Sequence, residues 1–542
     1  MMRTLPKRRI AALLAVFACV WSLAPDGAGG APRSRRKPGK SQAVKNLPEL
    51  KTPEDKIRFL EMIRNTFPAI RSGTPNLSSI TLDEILDRYV TDETSTPLAE
   101  VVDDETFLRR VSLDLAGQIP TPGGIRRFVS STDKRKRSLV IDELLETDQF
   151  ARKQARYWRS VVFHDSGANR NMVNPQAFED WLFEEFKAGT GWDRIVGEMV
   201  SATPRRQKDV KAQDNGWQQD YGPNNFVLAC ENKPEVMAAQ TARLFMGISI
   251  GCAECHDHPF DDWQREQFHE LAAFFAPGKY FMSDQYDPSQ RTEMEARFLL
   301  GEEPPLGLKP DQRRVAGAAY LIYNPDNHWF ARAFVNRVWS ELLGDGFYAV
   351  DSLGPDKEVV HQLVINRIAA SFRYSEFDVK WLFRLICNSQ AYQREIRTIE
   401  DEADLFTAVR PSRLRSWEVA DCLEIVIGKH EGLRNAVTTA FEQNPSIPQQ
   451  DLEGSLQQAL LLMNNTVLQQ RIADSPLKKE LLELDDDQEV IRHAFLGVLA
   501  RTPTTDETAR YVSYFKQIPD RREAVEDLIW VLINSAEFTT KR

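Results

Sequence analysis

The chain has 542 residues, with 69 Lys and Arg against 79 Asp and Glu, a formal net charge of −10, 42% hydrophobic and 10% aromatic residues. That much apolar material excludes wholesale disorder, and six Cys are too few for a disulfide-dense secreted scaffold. No fixed-period repeat is visible, which argues against a solenoid or propeller, and the length suggests about three or four domain-sized units.

In chain order, Arg3, Lys7, Arg8 and Arg9 precede an apolar run from Ile10 to Leu23, followed by the small residues Ala28, Gly29, Gly30 and Ala31. That arrangement predicts an export signal peptide over residues 1–31. The apolar run falls short of the roughly 20 residues a membrane span needs, although an uncleaved anchor is the alternative. Residues 32–50 read as a flexible basic linker. Ten of the basic residues and one acid lie before residue 46, leaving 59 basic against 78 acidic groups, or −19. So acidic a body repels phosphate backbones, and a nucleic-acid partner is not expected. No later stretch reaches membrane length, so the mature chain is expected to have no stable membrane span and to work in the periplasm or at the cell surface.

The body shows helical periodicity almost throughout. Thr81-x-x-Glu84 resembles a capping box ahead of Leu82, Ile85, Leu86 and Tyr89. Phe107, Leu108, Val111 and Leu115 form a second stripe, stopped by Gly117 and Pro120, and Thr121-Pro122 offers the next N-cap. Phe178, Trp181, Leu182 and Phe186 mark another helix, as do Phe268, Leu271, Ala272 and Phe275. Residues 201–226 are polar and rich in turn formers and predict a long loop. The Pro and Gly content of residues 281–312 predicts a linker. The fold is therefore expected to be predominantly α-helical, with two packed helical domains at 51–280 and 313–542.

Cys252-Ala253-Glu254-Cys255-His256 carries the sharpest chemical signal. Two thiols placed for the two vinyl groups, with an adjacent imidazole for an axial iron position, are what covalent c-type haem attachment requires. A single haem c would be anchored by Cys252 and Cys255, with His256 as proximal ligand. Met282, His269 and His164 are the distal candidates, followed by Met246 and His328, and a five-coordinate iron is a further option. His269 reads as a partly exposed helical residue. Asp257 and His258 are placed to support His256 from outside the iron's own ligand set. Asp261 or Asp262 suits the N-cap ahead of Trp263 better than Asp257 does. Two alternatives stay open: zinc or iron held by Cys252, Cys255, His256 and His258, or a disulfide or redox thiol pair. Cys387 and Cys422 sit in apolar helical contexts and read as buried thiols or one disulfide. Arg337 shares a helical face with Phe330, Ala333 and Phe334, which predicts a buried guanidinium with a carboxylate partner.

The stretch LFMGISIGCAECHDHPFDDWQREQFHELAAFFA closely resembles the signature of the planctomycete cytochrome-type domain of unknown function 1549. FLRRVSLDLAGQIPTP at 107–122 is similar to that domain's opening motif. NPDNHWFARAFVNRVWSELLGDGF at 324–347 resembles the start of its usual companion, domain of unknown function 1553. QQALLLMNNTVLQQRI near 457, LARTPTTDE near 499 and WVLINSAEF near 530 add to the likeness. The resemblance implies a secreted, paired-domain protein whose Cys252, Cys255 and His256 match a haem-type motif, and it implies no particular reaction. Many such relatives carry a further cytochrome c domain upstream with its own motif, whereas this chain has one. The expectation is an exported c-type-haem-like protein that transfers electrons or serves a redox partner or cell-surface component. The alternative is a non-haem cell-surface module, either a polysaccharide-related interaction protein or a metal-dependent hydrolase.

Overall fold

A computed structural model describes residues 48–67, 77–164, 172–205, 217–353, 358–401, 404–447 and 451–541. The signal-peptide reading of 1–31, most of the basic stub and the centre of the 201–226 loop lie outside the described residues. Where the stub ends, the chain is tied down at two points: Leu50 is buried and the Pro48 carbonyl accepts from Gln312 Nε2 at 2.8 Å.

Among the described residues the chain is predominantly helical, with one antiparallel hairpin, β1 (Tyr280–Ser283) and β2 (Arg291–Met294), and one short pairing of 412–413 with 540–541. No helix there is long and apolar enough to cross a membrane. The helices that frame the site are α1 (Pro53–Arg64), α2 (Asp104–Ala116), α3 (Asp148–Phe163), α4 (Trp192–Ser201), α5 (Pro234–Thr241), α6 (Arg265–Ala272), α7 (Pro310–Tyr323), α8 (Trp329–Leu343) and α9 (Ser416–Ile427).

Local chemistry explains most boundaries. Thr121 caps the helix that Pro122 opens, its side chain accepting from Gly124 N at 3.2 Å. Gly117 ends α2 in the left-handed region at φ 71°, a conformation glycine adopts without a side-chain clash. The helix expected to start at Thr81 begins at Ser79 instead, because the Ser78 hydroxyl already accepts from Thr81 N at 3.1 Å. Within the expected linker, 281–312, the chain folds into the hairpin and then enters α7 at Pro310.

The two halves of the chain share one hydrophobic cluster. Trp158 on α3 packs tilted against Trp192 of α4 with ring centroids 4.3 Å apart, and Phe334 of α8 lies 4.6 Å from Trp192. Helix α7 packs on both α1 and α4. Beside the aromatic group runs a line of buried ion pairs. Asp114 of α2 meets Lys541 at 2.7 Å with both side chains buried, and Lys153 of α3 meets the fully buried Glu418 of α9. Arg337 of α8 pairs with Asp351 and donates to Tyr157 Oη, and Arg415 pairs with Glu341. The carboxylate partner expected for Arg337 is thus Asp351, and its role is structural. Cys387 and Cys422 are buried free thiols.

Removing one member of a buried pair strands the other charge away from water. Asp114→Asn is expected to destabilise the protein by about 3–5 kcal/mol, read from urea unfolding. The double variant Asp114→Leu/Lys541→Met should lose less than the two single changes added. A cost below about 1 kcal/mol for Asp114→Asn would remove this contact from the account of how the halves are held.

Candidate functional site

The thiol segment is reached through an unusual helix end. Helix α5 passes into a π-helical turn, Ala242–Met246, which Gly247 terminates at φ 70°. A Cβ on Gly247 would stand 3.4 Å from Ala333 Cβ on α8, so the backbone of the first half approaches the second closely here. Gly247 O also accepts from Leu353 N at 2.7 Å. The chain then forms one 3-10 turn, Gly251–Glu254, anchored by fully buried Ala253, whose N–H donates to Ile250 O at 2.9 Å.

That single buried alanine leaves its neighbours outside. Cys252 and Cys255 are exposed and not bonded to each other, and His256 is exposed as well. His256 Nδ1 lies 2.7 Å from the Asp257 carbonyl oxygen. A carbonyl only accepts, so Nδ1 carries the proton and Nε2 keeps a lone pair, the state a metal-binding imidazole needs. The partner is therefore the Asp257 backbone, not its carboxylate. Asp257 Oδ1 instead accepts from Arg265 N at 2.9 Å and ties down the first residue of α6, the capping task expected of Asp261 or Asp262.

His258 is set up the opposite way. Its Nδ1 accepts from Phe260 N at 3.2 Å, which places the neutral ring's proton on Nε2. The thiol segment thus holds one imidazole with a bare Nε2 and one without.

Helix α6 holds the turn from behind. Glu254 O accepts from Arg265 Nε at 3.2 Å and from His269 Nε2 at 3.0 Å. His269 is buried at 6% exposure, not partly exposed as its sequence context suggested, because the hairpin covers it. Its Nδ1 lies 2.8 Å from Tyr280 Oη, which also lies 3.0 Å from Glu235 Oε1 on α5, so the one phenolic proton is shared between two acceptors. Burial pushes the His269 pKa down and the Tyr280 pKa up. His269 thus holds the turn through Nε2 and meets the hairpin through Nδ1.

The other distal candidates are placed differently. Met282 is half-buried on β1, and the next residue, Ser283, accepts from Arg265 Nη2 through its carbonyl at 2.5 Å. The hairpin and the thiol turn are therefore joined through one guanidinium. His164 is exposed at the C-terminal end of α3, which packs on α2 and on the helix Pro175–Ala188. Met246 is buried, with Asn327 Nδ2 at 3.8 Å from its sulfur. His328 opens α8, where burial pushes its pKa down to about 4. Its neighbour Trp329 meets Trp263 of the thiol segment edge to face at 5.7 Å. Among the described residues, no three His, Cys, Asp or Glu side chains gather as they would around a metal ion.

Arg265, Tyr280 and Glu235 had no signal in the sequence. An Arg at the start of a helix is ordinary, and only the fold brings the Glu254 and Ser283 carbonyls within reach of its side chain.

No curated protein and no solved structure matches the chain. Residues 81–280 match PSCyt2, a protein of unknown function (DUF1549), and residues 314–435 match PSD1, a protein of unknown function (DUF1553). The first match contains the whole thiol segment and the second contains α8, which packs against it. With both matches in this order along more than half its length, the chain belongs to the proteins that join DUF1549 to DUF1553.

Proposed function

We propose that this protein holds one covalently attached haem at Cys252, Cys255 and His256 and serves in electron transfer outside the cytoplasm. The observation that carries the reading is the pairing of two unbonded, exposed thiols with an imidazole whose Nδ1 proton is committed to a carbonyl. The donor set fits the group: two thiols able to form thioethers and one Nε2 lone pair on the adjacent residue. When bound, haem supplies a one-electron couple whose potential follows its axial ligands and their surroundings.

The chain's own residues do the positioning. Ala253 fixes the turn by burial, Arg265 and His269 hold its Glu254 carbonyl, and Asp257 sets the tautomer of His256 through its own carbonyl. Met282 is the distal candidate best supported, since it lies on the hairpin that Arg265 ties to the thiol turn. His269 is better suited to holding the turn than to ligation. A redox partner or cell-surface component would meet the exposed face that bears the two thiols.

Three outcomes follow. Produced in an oxidising compartment with haem-attachment machinery, the protein should show a Soret band that stays with the polypeptide after denaturation, and Cys252→Ser with Cys255→Ser should abolish it. Colourless protein with stoichiometric zinc, or with no metal, would overturn the assignment. His258→Ala should leave the spectrum unchanged while His256→Ala alters it. Equal effects of the two would show that the tautomer difference is irrelevant. His269→Phe should lower attachment yield by roughly tenfold through loss of about 1–2 kcal/mol of turn-holding hydrogen bonding. An unchanged yield would confine His269 to packing.

A further inference from the structure

Helix α8 carries two arginines, Arg332 and Arg337, and the fold treats them differently. Arg337 has Asp351 and Tyr157 as partners. Among the described residues nothing accepts from the Arg332 side chain and no carboxylate pairs with it. It is half-buried, and burial pushes its pKa down, yet a guanidinium stays charged. A cation partly out of water and without a counter-charge is in a state that a bound anion relieves.

Arg332 also stands where the thiol segment meets the second half of the chain. Trp329, Arg332 and Ala333 lie three and four positions apart and share one helical face. On that face Trp329 meets Trp263, at the exit of the thiol segment, edge to face at 5.7 Å. Ala333 Cβ lies 3.4 Å from a Cβ placed on Gly247, at the entry, and Tyr348 Oη lies 3.7 Å from the same point. Both ends of the segment bearing Cys252, Cys255 and His256 therefore rest on the face that carries Arg332.

Two further donors there also go without an acceptor. Tyr348 and Trp263 are 8% and 9% exposed, and Tyr348 Oη and Trp263 Nε1 have no hydrogen-bond partner among the described residues. Of the charges that act on Tyr348, Arg332 is foremost, ahead of Asp351 and Arg337. Asp351 is itself taken by Arg337 and Arg243. Burial and the charge of Arg332 keep His328 neutral, and Asp326 acts on His328 and Arg373. Arg373 donates to the Asn324, Pro325 and Asn327 carbonyls.

We infer that Arg332 is the receptor for a carboxylate and that, resting on the haem reading, this carboxylate is a propionate of the group attached at Cys252 and Cys255. That group carries two propionates besides the two arms that become thioethers, so attachment itself brings carboxylates to the neighbourhood of α8. One planar guanidinium matches one carboxylate in a two-bond fork. A phosphate or sulfate dianion calls for a second cation, and Arg337, Arg243 and Arg373 are engaged. The contact belongs to Arg332, which keeps access to solvent, whereas Tyr348 Oη and Trp263 Nε1 are sealed and contribute a donor-rich wall.

The test uses the whole mature protein, with and without haem. In the haem-loaded protein the resonance Raman bending band of the propionates reports their hydrogen bonding, apart from the bands of the iron's ligands. Arg332→Leu should shift that band and leave the iron-ligand bands in place, and Arg332→Lys should restore it in part. An unmoved band in Arg332→Leu would overturn the propionate assignment. The haem-free Cys252→Ser/Cys255→Ser protein is titrated with sodium propionate at constant ionic strength and followed by broadening of the propionate NMR signals. It should bind propionate but not the neutral propionamide, and Arg332→Leu should weaken that binding at least about tenfold. The haem-loaded protein should bind no added propionate, because its own carboxylate fills the place. Equal propionate binding with and without haem would assign Arg332 to a free carboxylate and overturn the assignment to haem. Equal binding of propionate and propionamide, or none of either, would overturn the carboxylate site itself. Protein that stays colourless under haem-attaching conditions, while its propionate binding depends on Arg332, would end the haem reading and keep the carboxylate site, so the two failures are told apart. The comparison of propionate with propionamide leaves Arg332 unaltered and needs no variant at that position to fold.

Discussion

The two halves of this protein are held in register by charges buried between them. Two buried ion pairs cross between them, Asp114 of α2 with Lys541 and Lys153 of α3 with Glu418, while Arg337–Asp351 and Arg415–Glu341 lie within the second half and Arg337 reaches the first by donating to Tyr157 Oη. Buried ion pairs add little stability compared with apolar packing, yet they are severe about arrangement, because any slip leaves a charge without a partner in a low-dielectric interior. The cluster of Trp158, Trp192 and Phe334 supplies apolar burial beside them. Apolar surface brings the halves together, and the ion pairs decide how they meet.

That register matters at the thiol turn. Gly247 lies against Ala333, Leu353 donates to its carbonyl, and Trp263 meets Trp329. The segment carrying Cys252 and Cys255 is therefore braced by the second half of the chain while its reactive atoms face outward. The start of DUF1553 acts as the back wall of the DUF1549 site, a physical reason for the two to occur on one chain.

Within the site the division of labour is between side chains that hold and side chains that are left available. Arg265 touches Glu254, Ser283 and, through its own N–H, Asp257. His269 uses both ring nitrogens inside the structure, and His258 uses Nδ1 locally. His256 alone in this segment pairs Nδ1 with a carbonyl, which leaves its Nε2 without a proton on the neutral ring. Four histidines in the DUF1549 match thus have distinct settings, His164 at a helix end being the fourth, and residue type alone does not separate them.

Helical class, the stripe of Phe107, Leu108, Val111 and Leu115, the stop at Gly117 and the start at Thr121 were all legible from the chain. Each depends on residues within a few positions of one another, where periodicity and capping act. The C-x-x-C-H pentad was legible for the same reason, and so was the buried guanidinium of Arg337. What the tertiary structure alone decided is what lies far apart in sequence: that Asp351 is the partner of Arg337, that Asp257 binds Arg265 rather than His256 through its carboxylate, that His269 is buried under a hairpin, and that α8 carries Arg332 beside both ends of the thiol segment. Local order is set by short-range sterics and hydrogen bonds, whereas partner choice is set by which distant surfaces bury each other, and that is not encoded in any single stretch.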